Sequence, residues 1–339
     1  MLAHHSDDRT SAVTVVAPAR LHMGFIDLGG SLGRRFGSIG VGVDEIATRI
    51  TLRPADTLEA EGPSAERALK AARRFCENFG VPCRASIHVH QAIPEHVGLG
   101  SGTQMALAVS MGLAKLHGLA LELRDAARAI ERGARSGIGI AVFEQGGLIL
   151  DGGRGPDTIT PPVISRMEMP ADWRFILIFD ERGQGLHGKQ EIDAFAALPP
   201  FPEALAAHLC HRILMQALPA LAEGNLVDFG AVITELQQAV GDHFAPAQGG
   251  RFTSPEVGAA LAWLEAQGAV GLGQSSWGPT GFCLLDDPQR ARKLCDEAGG
   301  RFGGLTFVVA TPRNRGAEIV SEERESCRLR TRTARQAGN

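Results

Sequence analysis

The chain has 339 residues, 44% hydrophobic and 21% charged, which is long enough for two units of ordinary size and balanced as in globular proteins. Thirty-eight acidic side chains against 34 basic ones leave a net charge of −4, which excludes a global electrostatic case for nucleic acid. Six scattered cysteines without a C-x-x-C pair exclude a disulfide framework, no run approaches a membrane span, and Met1–Thr10 hold no apolar signal core, so a cytoplasmic chain is expected.

In chain order, Ala12–Ala17 reads as a strand ended by Pro18, followed by Ala19–Leu28 and a Gly-rich stretch from Gly29 to Gly42. Ala47–Arg53 predicts another strand. Ser64–Phe79 has helical spacing with Gly80 as its stop, and Ala85–His90 alternates as a half-buried strand. A loop over Ile93–Gly102 leads into a helix over Thr103–Leu116, then come a helix over Leu123–Arg132 and a short strand within Phe143–Asp151. Gly152–Pro170 is dense in Gly and Pro and is taken as the boundary between units at 10–165 and 170–325. Beyond it, Trp173–Phe179 predicts a buried strand. Glu203–Leu221, Leu226–Val240, Ser254–Gln267 and Pro288–Ala298 predict helices; Gly268–Leu285 predicts strand, turn, strand; Leu305–Ala310 closes with a strand. Strands and helices alternate in both halves, an α+β chain. The basic tail, Arg328–Arg335, reads as a solvated end.

The segment richest in chemistry is Pro94-Glu95-His96-Val97-Gly98-Leu99-Gly100-Ser101-Gly102-Thr103-Gln104, between a predicted strand and a predicted helix. Glycines at alternate positions let a backbone approach a ligand, a helix start offers free amides and a positive dipole end, and Ser101 and Thr103 add hydroxyls. Together they suit a phosphate. The segment is neither a P-loop, lacking G-x-x-x-x-G-K-[S/T], nor a dinucleotide fingerprint, lacking the acidic residue that should follow.

Pro-x-x-x-Gly-Leu-Gly-Ser in this segment resembles the second motif of the GHMP kinases. Ala17-Pro18-Ala19-Arg20-Leu21 resembles their first, and Gly273-Gln274-Ser275-Ser276-Trp277-Gly278-Pro279-Thr280-Gly281 their Gly-rich third. The resemblance implies an N-terminal domain like ribosomal protein S5 domain 2 and a ferredoxin-like C-terminal domain. The Asp that many of these kinases carry between the second and third motifs is missing from Ser136–Gly147, which disfavours phosphoryl transfer. Ala19–Leu28, Gly30–Arg34, Ser136–Gly139 and Phe143-Glu144-Gln145-Gly146-Gly147 are instead similar to the β-ribofuranosylaminobenzene 5′-phosphate synthase branch. That branch serves tetrahydromethanopterin synthesis, and the resemblance implies phosphoribosyl diphosphate plus 4-aminobenzoate or 4-hydroxybenzoate as substrates, Mg²⁺ as cofactor and a homodimer. An ATP-dependent small-molecule kinase and a non-catalytic sugar-phosphate sensor remain as alternatives.

On this reading the phosphates fall to Arg20 and to Gly98, Leu99, Gly100, Ser101, Gly102, Thr103 and Gln104. Asp27, Arg34 and Glu144 are the candidate catalytic residues, with Asp27 also the metal ligand. His22, Arg182, His187, Lys189, Gln274, Ser275, Ser276, Trp277 and Gly278 are the candidate substrate contacts, Trp277 as a stacking surface. Each has a plainer role open to it: a turn for Asp27, a solvated pair for Arg34 and Arg35, a polar hairpin for Asp180–Glu191, a core ring for Trp277. His208 and His211 have metal-ligand spacing but no second cluster with them.

Overall fold

The structure, a computed structural model, describes residues 10–129, 133, 135–182 and 197–323. It opens with a long antiparallel ribbon, β1 (Thr10–Asp27) and β2 (Phe36–Pro54). Then come β3 (Glu59–Glu61), α1 (Ala65–Phe79), β4 (Ala85–Gln91), α2 (Ser101–Leu116), α3 (Leu123–Ala129), α4 (Ile138–Glu144), β5 (Leu148–Asp151) and β6 (Val163–Met167). The second half runs β7 (Arg174–Asp180), α5 (Glu203–Arg212), a π segment (Ile213–Ala217), α6 (Leu218–Glu223), α7 (Leu226–Gln248), α8 (Pro255–Ala266), β8 (Val270–Gln274), β9 (Gly281–Leu285), α9 (Pro288–Arg301), β10 (Leu305–Ala310) and β11 (Glu318–Glu323).

A seven-stranded sheet has the order β11-β1-β2-β4-β3, with β5 on β2 and β6 on β5; a four-stranded sheet has the order β10-β7-β9-β8. The mixture is the α+β class expected. Residues 318–323, grouped by sequence with the second half, return to pair with β1, and β6 lies inside the stretch read as a boundary.

Pro18 does not end β1. It sits at a register shift against β2, and pairing of β1 with β11 stops at Val16, so its missing amide leaves no ladder bond unmade. Half of the Gly29–Gly42 stretch, from Phe36 on, is strand. A Cβ on Gly40 would fall 2.6 Å from the Leu21 carbonyl oxygen and 2.7 Å from Ile138 Cγ2, so glycine admits α4 against the sheet.

One face of the large sheet packs Val13, Val15, Ile50, Leu52, Ile87 and Val89 against α1 and α2. The small sheet alternates as strands must: Phe175, Leu177, Phe282 and Leu284 face a core shared with β1 and α7, while Ile176, Ile178, Cys283 and Leu285 face α8 and α9.

Candidate active site

The Gly98–Thr103 loop is built from conformations and contacts that only glycine meets. Gly98 and Gly100 have φ of 82° and 80°, and a Cβ on Gly98 would lie 2.2 Å from the Ser275 carbonyl oxygen. The Gly98 carbonyl accepts from Arg20 Nη1 at 2.6 Å and Ser275 Oγ at 2.7 Å, and the Leu99 carbonyl accepts from the Arg20 amide at 3.1 Å. The carbonyls are thus held inward against β1 and the β8–β9 turn. The amides of Thr103 and Gln104 return to the Gly100 carbonyl at 3.0 Å each. Those of Ser101 and Gly102 precede the first helical bond, no side chain caps them, and Ser101–Thr103 are half-buried rather than covered. Open amides at the positive end of a sixteen-residue helix make a seat for an anion.

β1 supplies the wall beside it. His22 is 2% exposed, and its ring Nε2 is buried with no hydrogen-bond partner among the described residues. Burial, helped by the charge of Arg20, pushes its pKa down from 6.5 to about 3, so the ring is neutral at ordinary pH. Ser275 Oγ accepts from the His22 amide at 3.0 Å while donating to Gly98, joining strand, loop and third motif. Gln237 of α7 adds a strut, donating to the Met23 carbonyl at 2.6 Å and accepting from the Gln274 amide at 2.8 Å. His22, Phe25, Gln237, Phe244, Gln248 and Gln274 line a cleft of about 10 Å³, room for a single water.

Several predicted site residues stand elsewhere or serve otherwise. Gln104 is fully buried and donates to the Gly139 carbonyl at 2.8 Å; it fastens α4 to α2 rather than facing a phosphate. The Leu99 side chain is 1% exposed and belongs to the core, so only its backbone serves the loop. Trp277 is 3% exposed and stacked on Phe244 at 4.2 Å, a core ring and not an open platform. Glu144 is exposed at the C-terminal end of α4, whereas the helix meets α2 at its other end, through Gly139. Arg182 grips Asp180 through two bonds of 2.8 and 3.1 Å, so its guanidinium already holds a carboxylate; that carboxylate, which also accepts from Ser254, is drawn down to a pKa of about 2. His187 and Lys189 lie outside the described residues, as does the basic tail.

Asp27 ends β1 and Arg34 precedes β2, on either side of the turn between them. Asp27 Oδ1 accepts from the amides of Gly29 and Gly30 at 2.8 and 2.9 Å, the turn-forming role, while Arg34 donates to the carbonyls of Gly152 and Gly153 at 2.9 and 2.8 Å. Asp27 is seven residues along β1 from Arg20, no more than about 23 Å away. Gln274, Ser276 and Gly278 stay at the third-motif turn, where a Cβ on Gly278 would lie 2.5 Å from Gln274 Cδ.

Two groups were not singled out from the sequence. Asp151, 1% exposed, accepts from Ser38, Ser136 and the amides of Ser38, Gly137 and Gly153; burial raises its pKa against the pull of these bonds. Arg67 of α1 reaches Ser101. Arg67 lies in no motif, and only the fold brings it to Ser101; Asp151 lies four residues beyond Gly147, and only the fold gathers its donors.

Phosphate-type loop, helix start and Gly-rich third motif, shared between two sheets, define the GHMP-kinase class of enzyme. The GHMP kinases N terminal domain matches residues 66–147 and the GHMP kinases C terminal domain residues 217–320. Among solved structures, Lactococcus lactis galactokinase superposes with a TM-score of 0.66 at 15% identity, covering 92% of this chain and 95% of that one. Homoserine kinase from Cytophaga hutchinsonii gives 0.61 at 18%, covering 91% and 98%. The beta-ribofuranosylphenol 5'-phosphate synthase of Methanothermobacter thermautotrophicus is 32% identical over 325 residues, spanning 89% of this chain and 97% of that protein. The enzyme of the same name from Archaeoglobus fulgidus is 33% identical over 327 residues, with the same shares. A Synechococcus 4-diphosphocytidyl-2-C-methyl-D-erythritol kinase is 27% identical over 88% of this chain and 93% of its own length. The chain belongs to the β-ribofuranosylphenol 5′-phosphate synthase family.

Proposed function

We propose that this enzyme joins phosphoribosyl diphosphate to a para-substituted benzoate with loss of CO2 and diphosphate. The observation that carries the reading is identity of 32–33% along 97% of two relatives bearing the synthase name. The anion seat at the Ser101 and Gly102 amides supports it, as does the lack of any Asp in Ser136–Gly147, where a kinase of this class often has one.

In the proposed reaction the bond from ribose C1 to the diphosphate oxygen breaks, its electron pair leaving on diphosphate. The ring carbon bearing the carboxylate bonds to C1, and the bond to CO2 breaks, returning its pair to the ring. The chain's part is to hold a phosphoryl end on the loop amides and to keep water from a cationic sugar. The neutral His22 ring borders the cleft proposed for the aromatic acceptor, which has to widen to admit it. The relatives' phenol name favours 4-hydroxybenzoate over 4-aminobenzoate.

Mg²⁺ is proposed to accompany the diphosphate, where it would neutralise charge on the leaving group. Among the described residues no group of three or more His, Cys, Asp or Glu forms a metal cage, and a Mg²⁺ held by one carboxylate, waters and phosphate oxygens needs none. Asp27 is the proposed carboxylate, its Oδ1 engaged by two amides. The substrate would then lie along β1, with Arg34 at the Asp27 end. A homodimer, a cytoplasmic location and a place in tetrahydromethanopterin synthesis complete the proposal; exposed Leu214, Met215 and Val227 offer apolar surface to a second copy. Among the described residues, no helix is long and apolar enough to cross a membrane.

The test is release of labelled CO2 from carboxyl-labelled 4-hydroxybenzoate and 4-aminobenzoate with phosphoribosyl diphosphate and Mg²⁺. Parallel reactions give ATP with homoserine or mevalonate and measure ADP. ADP without CO2 overturns the reading in favour of a kinase.

A further inference from the structure

We propose that Arg67 is a phosphate-binding residue of this site, gripping the phosphoryl group seated on the Ser101 and Gly102 amides, with Glu95 as the carboxylate it leaves when that group arrives. The proposal rests on the loop reading given under Proposed function and adds to it a residue outside every motif.

The geometry begins with what Arg20 does. Its Nη1 is committed to the Gly98 carbonyl and its side chain packs where a Cβ on Gly100 would stand, so it shapes the loop from beneath. The guanidinium that reaches the helix start from outside is that of Arg67, from the first turn of α1. Its Nη1 donates to Ser101 Oγ at 3.4 Å, and its Nη2 meets Glu95 Oε2 at 2.9 Å and His96 Nε2 at 3.0 Å. Glu95 is itself pinned by Ser64 Oγ at 2.6 Å. Ser64 and His96 both have positive φ, 59° and 61°, a conformation that costs a non-glycine residue and that tends to gather at ligand clamps.

Two consequences follow for a phosphate. A guanidinium only donates, so Ser101 Oγ is the acceptor in its bond with Arg67, and the hydroxyl proton is directed to another acceptor, beside the open amides. Arg67 therefore orients one donor of the seat while adding a positive charge next to it. Its side chain is 31% exposed and that of Glu95 37%, so neither is locked in the core and the pair can part. Arg rather than Lys suits the place because the planar fork holds Ser101 and an anion together.

The experiment is isothermal titration of the full chain with inorganic diphosphate, ribose 5-phosphate and phosphoribosyl diphosphate, for the unaltered protein and for Arg67→Met, Arg67→Lys and Glu95→Gln. The two simple probes tell which end of the substrate the loop takes. Arg67→Met is expected to weaken the bound probe about tenfold or more, Arg67→Lys less, and Glu95→Gln to tighten it several-fold by removing a competing charge. A purely structural Arg67 would not yield the tightening. Affinity within about twofold of the unaltered protein in Arg67→Met overturns the proposal, and if that variant does not fold, unchanged or weaker binding by Glu95→Gln does so. An unaltered protein that binds none of the three overturns the loop reading itself, and this inference with it.

Discussion

The imidazole of His22 ties the site to pH. Folded, its pKa is about 3; unfolded, it returns to 6.5, so between these values the unfolded chain binds a proton that the folded chain refuses. Stability is therefore fully present above pH 6.5 and falls as pH drops towards 3, by up to about 1.4 kcal/mol per unit from this group. Urea unfolding at pH 6.5 and pH 5 is expected to show a loss of about 2 kcal/mol that His22→Gln lacks; equal losses in both proteins would mean the ring is not held neutral. At the loop, Gly98→Ala forces a Cβ onto the Ser275 carbonyl at positive φ. It is expected to cost about 2 kcal/mol and to abolish binding of phosphoribosyl diphosphate, read by thermal melting and titration; a variant that melts and binds as the unaltered protein contradicts the loop's construction. The glycines and hydroxyls of this loop are legible in sequence because their chemistry is local. Arg67 is not, because its approach depends on how α1 lies beside the loop, and Trp277 misleads because a ring in a Gly-rich motif looks the same whether it stacks on a ligand or on Phe244.

Among the elements, α4 best shows where reading by pattern stops. Seven residues, one of them glycine, carry too little periodicity to mark a helix, and its place is set from outside. Asp151, from β5, accepts from the Gly137 amide at 2.9 Å and from Ser38 and Ser136, and Gly139 takes the Gln104 amide group. Asp151 thus holds the start of α4, which braces the first turn of α2. Asp151→Ala should leave these donors unsatisfied and cost about 3 kcal/mol; a denaturation midpoint unchanged from the unaltered protein would show the anchor to be idle. Ala47–Arg53 of β2 is readable as strand, whereas the glycines of Phe36–Gly42 look like loop; the nearness of Leu21 and α4 explains Gly40, and α4 with Arg313 explains Gly42. The alternating or amphipathic runs at β4, α1 and α7 were readable because burial on one face imposes a period on the sequence itself, and β7 because a short continuous apolar run marks a strand buried on both faces.

For the whole molecule, the question is whether the two sheets fold as one. The largest core draws Leu21, Met23 and Phe25 from β1, Phe175 and Leu177 from β7, Phe282 and Leu284 from β9, and Phe229, Ile233 and Leu236 from α7. Leu236 is wholly buried, and its side chain fills the space where a Cβ on Gly24 would stand, 2.9 Å away. β11 then carries the chain end back onto β1, and buried Arg313 binds Asp44 and Glu318 across the return. A core that neither sheet can close alone couples their unfolding, so calorimetry should show a single transition. Leu236→Ala, a large-to-small change at the junction, should lower that one transition by about 2–5 kcal/mol without dividing it. Two resolved transitions, with only the later one sensitive to Leu236, would mean that the halves are stable apart and that the site between them is assembled by docking rather than by folding.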